Sequence, residues 1–220
     1  NKAELRFSRE VEVLSKPILH PIKLSYGVLR RGCSDLKTPL ILKSVKEINL
    51  NIFYLHKHPG VAAQQMCDKH VVKMILESAQ LLCTAHHECP TDTEMPTKFY
   101  KKTHANHPSA IWVRTSVKNY EWMTAHALAL CEEYTYRYDK VHASQAIIEW
   151  CSDNYPNIPH GHLAKMPQCM PDEYKTDDSI QSYRDYYWHD KRNKISMKWT
   201  KREKPHWWRR AESHELQGIG

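Results

Sequence analysis

The chain has 220 residues, 41% of them hydrophobic, and a formal net charge of +7, which is enough apolar content for one domain with a real core plus an appendage. Six glycines, with neither a P-loop nor a dinucleotide-binding glycine pattern, exclude the usual glycine-rich phosphate loops. Seven scattered cysteines, odd in number and never spaced C-x-x-C, argue against a disulfide framework or zinc ribbon, and the charged opening leads into no apolar run of signal-peptide or membrane-spanning length; a cytoplasmic protein with no membrane contact is expected.

Residues 1–48 hold short β-branched and Leu runs broken by Pro17, Pro21, Gly27, Gly32 and Pro39. They read as a short extended or irregular N-terminal segment outside the core, an appendage or an upstream extension of the reading frame. A helical domain over 49–210 follows, and 211–220 read as a tail. The domain opens on a strand-like stretch, Asn51-Ile-Phe-Tyr-Leu55. From Gly60 to Thr84 apolar residues cover more than half of a helix circumference, so this helix is expected to be largely buried. Its polar positions form one narrow stripe containing Lys69, His70, Lys73, Glu77 and Gln80. Such a stripe faces water through a gap or lines a cleft.

A loop with Pro90 and Pro96 leads to a second long helix, with Pro108 in its first turn and an end near Tyr138. A shorter helix is expected over 144–152 and an ordered loop over 153–170. Asp177 and Asp178 offer caps for a last helix from Ser179 to about Lys198. The whole reads as mainly α, a compact single domain of four or five helices.

Three constellations bear on chemistry. On the first helix, Asp68, His70, Lys73 and Glu77 place carboxylates beside an amine at helical spacing, which suits general acid/base or Schiff-base work; an intrahelical Lys73–Glu77 ion pair is the structural alternative. Around the second helix start, His104, Asn106, His107, Trp112, Arg114 and Asn119 gather donors where N–H groups favour an anion such as phosphate, or where Asn106 or His107 simply caps the helix. Between His189 and Arg210, nine Lys/Arg stand against Asp190 and Glu203, interleaved with tryptophans. Here Lys191, Arg192, Lys194, Lys198, Trp199, Lys201 and Arg202 are expected to contact nucleic acid, cations seeking phosphates and rings offering faces to bases. Fifteen histidines, paired as His56/His58, His86/His87, His104/His107 and His160/His162, keep a metal-dependent hydrolase open, although no H-E-x-x-H pattern occurs; no metal ligand or cofactor is assigned.

The stretches Asn51–Leu55, Asp68–Glu77, Thr103–Ser109, Glu133–Tyr138 and Met170–Tyr174 resemble a helical protein family encoded by tailed phages, over about residues 51–208. The chain is also similar to the phage pyrimidine-dimer DNA glycosylases of the endonuclease V type, through Asn51-Ile52, through Ala63-Gln-Gln-Met66 leading into the first helix, and through the aromatic, basic end around Tyr186-Tyr187. That resemblance implies a compact helical enzyme that flips a nucleotide and cuts through a Schiff base. Its nucleophile would be the amine of a mature N-terminus, aided by a glutamate on the first helix, for which Glu77 or Asp68 would stand. Fifty residues precede Asn51 here, so its amine is free only where the extension is absent or removed.

The expectation is therefore a phage-type enzyme of the host cytoplasm, excising or modifying a base in DNA or its nucleotides. The alternatives are a non-catalytic nucleic-acid-binding protein and the histidine-based metal hydrolase.

Overall fold

A computed structural model describes residues 50–218. The N-terminal segment expected over 1–48 lies outside the described residues. Those described are mainly helical, with no strand: α1 (Pro59–Gln65), α2 (Asp68–Glu88), α3 (Pro108–Val113), α4 (Val117–Tyr138), α5 (Gln145–Asp153), α6 (Ser179–Tyr186), α7 (Arg192–Lys194) and α8 (His206–Leu216). A π-helical stretch, Tyr187–Lys191, joins α6 to α7. There are more helices than the four or five expected, and among the described residues none is long and apolar enough to cross a membrane.

Most of the extra helices arise where one expected helix is split, and α8 stands where no helix was expected, running into residues 211–216 of the expected tail. The first breaks at Met66 and Cys67, both in extended conformation. Into this break reaches Arg137 of α4, donating to the carbonyls of Gln64 and Met66. Two ends that periodicity alone would fuse are thus held apart by a guanidinium that satisfies orphan carbonyls at the C-terminal end of α1. The second break falls at Arg114–Ser116. Ser116 caps α4 by accepting from the Asn119 N–H, and the Asn119 side chain donates back to the Trp112 carbonyl.

Helix α4 is the hub, packing against α1, α2, α3 and α5. Ala62, Ala63, Met66, Val71, Ile75, Leu82, Tyr120, Met123, Leu130 and Ile148 fill the space between them and are almost wholly excluded from solvent. Each large member contributes roughly 1.5–3 kcal/mol of burial. The chain before α1 is not a strand. It is pinned to α4 by hydrogen bonds from Trp122 Nε1 to Lys57 O (2.9 Å) and from His126 Nδ1 to Pro59 O (2.9 Å). The loop from 154 to 170 is pinned as well, through Trp112 Nε1 to Ala164 O and Ala164 N to Asn119 Oδ1.

Candidate active site

Asn51 begins a tight local turn. Its Oδ1 accepts from the N–H groups of Ile52 and Phe53, and Phe53 sits at φ +53°, a left-handed conformation that costs a bulky residue energy unless its surroundings fix it. The surroundings do fix it. The Phe53 ring stacks on His70 at 4.2 Å and meets Tyr187 edge-on at 5.2 Å, while His70 Nδ1 is hydrogen-bonded to the Tyr187 hydroxyl. Burial, with Lys73 and Lys191 nearby, pushes His70 down to about 3, so the ring is neutral at pH 7. His70 thus belongs to the wall that orients Asn51.

The turn aims the backbone nitrogen of Asn51 at α2, where it donates to Glu77 Oε2 at 3.2 Å. The other carboxylate oxygen lies 2.9 Å from Lys73 Nζ. Asn51 and Glu77 are buried, whereas the Lys73 side chain is about half exposed. Burial raises Glu77 above the usual carboxylate range, opposed by Lys73, by the Asn51 N–H and by His104. On the far side, Asn51 Nδ2 donates to Cys169 O at 2.7 Å, and the Cys169 N–H donates to the Tyr183 hydroxyl. A cavity of 590 Å³ opens beside the pair, lined by Leu50, His107, Cys169, Tyr186, Lys175 and Lys191 among others. The arrangement can hold a proton on a buried carboxylate next to a nitrogen, near a cavity whose lysines, Lys175 and Lys191 among them, are paired with Asp172 and Asp190.

The remaining expected site residues distribute as follows. Asp68 spends its oxygens on Arg137 (3.0 Å), the Thr200 N–H (2.9 Å) and the Thr200 hydroxyl (2.7 Å), which ties the segment after α7 to the start of α2. Of the two carboxylates, Glu77 is therefore the one beside the Asn51 nitrogen. His104 is exposed, at φ +50°, close enough to act on Glu77 electrostatically. Asn106 is exposed in the same turn. His107 caps α3 by accepting from the Ser109 N–H, and its pKa is lowered by burial and by His104. Trp112 and Asn119 are buried and give their polar groups to the 154–170 loop. Arg114 lies near Glu88 and Cys89, with one buried Nη unpartnered among the described residues.

The basic C-terminal segment is largely neutralised from within. Lys191 and Lys194 pair with Asp190, Arg192 with Glu215, Lys201 with Asp139, Arg202 with Glu133, Lys204 with Glu212 and Arg209 with Glu203. Its tryptophans pack inward: Trp199 Nε1 donates to Gln65 O, Trp207 Nε1 to Gln65 Oε1, and both rings meet Trp208. A charge count over 189–210 cannot see four of these acids, because Glu212 and Glu215 follow the segment and Glu133 and Asp139 lie more than 60 residues from their partners. Asn51 itself is absent from the acid/base cluster drawn from helical spacing. The signal that could have found it is its place at the head of the domain. Among the described residues no group of three or more His, Cys, Asp or Glu side chains is arranged to hold a metal ion.

Residues 50–145 match the family model described as pyrimidine dimer DNA glycosylase. The matched stretch starts one residue before Asn51 and includes Lys73, Glu77 and His104, in agreement with the resemblance drawn from Asn51-Ile52 and the α1–α2 region. No curated protein and no solved structure matches the chain.

Proposed function

We propose that this chain is a DNA base-excision enzyme of the glycosylase type, with Glu77 as its catalytic carboxylate and the nitrogen of Asn51 as the position of its nucleophilic amine. The observation that carries the reading is the buried 3.2 Å contact between Asn51 N and Glu77 Oε2, within a stretch that matches a pyrimidine dimer DNA glycosylase family model. In the intact chain that nitrogen is a peptide amide, whose lone pair is delocalised into the carbonyl. It becomes a nucleophile only when no peptide bond joins it to Leu50. Leu50 lines the adjoining cavity and is itself buried, so its loss would free the amine and widen the cavity together.

The chemistry then follows from the geometry. A neutral amine at Asn51 attacks C1′ of the damaged nucleotide; the glycosidic C–N bond breaks, and the base nitrogen keeps the bonding electrons and takes a proton from solvent while the base stays tethered to its dimer partner. Opening of the C1′–O4′ bond, with a proton going to O4′, then leaves a protonated imine between the Asn51 nitrogen and C1′. The carboxylate of Glu77 accepts the proton that the attacking amine loses, and burial, by raising its pKa, makes it a better base for that step.

A second reading uses Lys73 as the amine, since Nζ also touches Glu77 at 2.9 Å and is half exposed. Glu77→Gln separates enzyme from binder. Cleavage of the glycosidic bond in dimer-containing DNA, read as strand scission at the abasic site it leaves, that is present in wild type and lost in Glu77→Gln with unchanged DNA affinity supports the enzyme, whereas DNA binding with no such cleavage by either protein would leave a binding protein.

A further inference from the structure

A second cavity, of 520 Å³, lies one to two turns toward the N-terminus of α2 from Glu77. Its wall includes Lys69 and Lys73 of α2, Tyr134 and Tyr138 near the end of α4, Lys140 just beyond it, and Lys198 of the extended segment. A volume in the range of small-ligand sites is thus lined by four lysines, of which Lys73 is engaged with Glu77, and by two tyrosines. The single acid in the wall, Asp68, is committed to Arg137 and Thr200. Lys69, Lys140 and Lys198 have no carboxylate partner among the described residues, unlike most of the cations of the C-terminal segment.

The wall is built rather than accidental. The Asp68 N–H donates to Lys198 O at 2.8 Å, which fixes Lys198 against the first turn of α2. The rings of Tyr134 and Tyr138 lean on each other at 5.1 Å. Val72, 39% exposed, adds an apolar patch to the floor. Cations that need an anion, beside aromatic faces and an apolar floor, form the combination that holds a nucleotide by phosphate and base at once. With a rise of 1.5 Å per residue, Val72 and Lys73 stand about 6–8 Å along α2 from Glu77, so a strand reacting at Glu77 would bring a neighbouring nucleotide here.

We propose that this cavity is a nucleotide subsite that takes an unstacked nucleotide of a DNA strand, its base against Tyr134 and Tyr138 and its phosphates on Lys69, Lys140 and Lys198. Its placement relative to the reacting strand rests on the base-excision reading above; its ligand chemistry does not. The test is fluorescence anisotropy of the full chain with a labelled single-stranded oligonucleotide, an assay that requires no catalysis. Lys69→Glu and Lys140→Glu should each weaken binding about tenfold near 0.1 M salt and flatten the log–log salt dependence by about 0.7 for each cation removed. Lys98→Glu, on the loop before α3, should change neither. Tyr138→Leu should cost about tenfold against an oligonucleotide carrying bases and little against one made abasic throughout, as expected when one base–aromatic stack is lost.

Wild-type affinity in both lysine variants would overturn the subsite, and an equal Tyr138→Leu effect on the two oligonucleotides would overturn the base contact. Displacement of the oligonucleotide by deoxynucleoside monophosphate at equal nucleotide concentration would overturn the assignment to a strand. A protein that shows no glycosidic-bond cleavage yet loses affinity through Lys69 and Lys140 would retain the subsite and lose the base-excision reading.

Discussion

At the scale of single residues, the central question is why a carboxylate is buried at position 77. A charged Glu77 surrounded by core is costly, and one lysine with a half-exposed side chain offsets only part of that cost. Its folded pKa is raised, so its contribution to stability is largest in acid and is lost as pH rises through the folded value. Glu77→Gln should therefore leave the urea midpoint at pH 7 unchanged or higher while glycosidic-bond cleavage disappears; a large fall in midpoint would make Glu77 a structural residue. The histidines act in the opposite sense. His70 is pushed down to about 3, and His86 and His126 to about 4, by burial. Below pH 6.5 the unfolded chain binds protons that these rings refuse, so stability should fall steadily from about pH 6.5 toward pH 4. A midpoint that stays flat over that window would show that the three rings do not titrate as their burial requires.

At the scale of elements, sequence pattern and tertiary contact divide the work in a definable way. The apolar periodicity of 60–84 and 108–138, Pro108 in a first turn and Asp178 as a cap were legible, and the helices stand there. The break at Met66-Cys67 was not, because its cause, Arg137, lies on another helix 70 residues away. Nor was the end of the last expected helix. The rod stops at Lys194, and the chain then runs extended so that Asp68 can be met by Thr200 and Lys198. The Lys73–Glu77 spacing was legible; its approach by Asn51 requires the Phe53 turn, which no periodicity encodes. Arg137 is the clearest element-scale test. It is fully buried against Asp68 and Glu133 and bonds the carbonyls of Gln64, in the last turn of α1, and of Met66, in the break. Arg137→Met would leave Asp68 with only Thr200 and Glu133 with only Arg202, and the carbonyls of Gln64 and Met66 without their donor, and should cost about 3–5 kcal/mol in chemical denaturation. A loss under about 1 kcal/mol would show that the α1–α2 break holds without it.

At the scale of the molecule, the net charge of +7 misleads when read as one basic surface, because the C-terminal cations are mostly answered by acids brought from α4, α8 and the turn after α4. The positive region formed by Lys69, Lys140 and Lys198 around the 520 Å³ cavity is smaller and lacks such partners among the described residues. DNA affinity should consequently fall with salt through a few phosphates only, with a slope of roughly 2–4, and a slope near that of nine contacts would return the whole C-terminal segment to the interface. The measurement that bears most directly on the central claim is borohydride trapping on DNA containing a pyrimidine dimer, with mapping of the modified residue. It would compare the full chain with a chain beginning at Asn51 whose fold is verified by circular dichroism. A covalent adduct on the Asn51 nitrogen of the second protein, retained in Lys73→Met and lost in Glu77→Gln, is the predicted result. An adduct mapped to Lys73, or none from either protein, would contradict it.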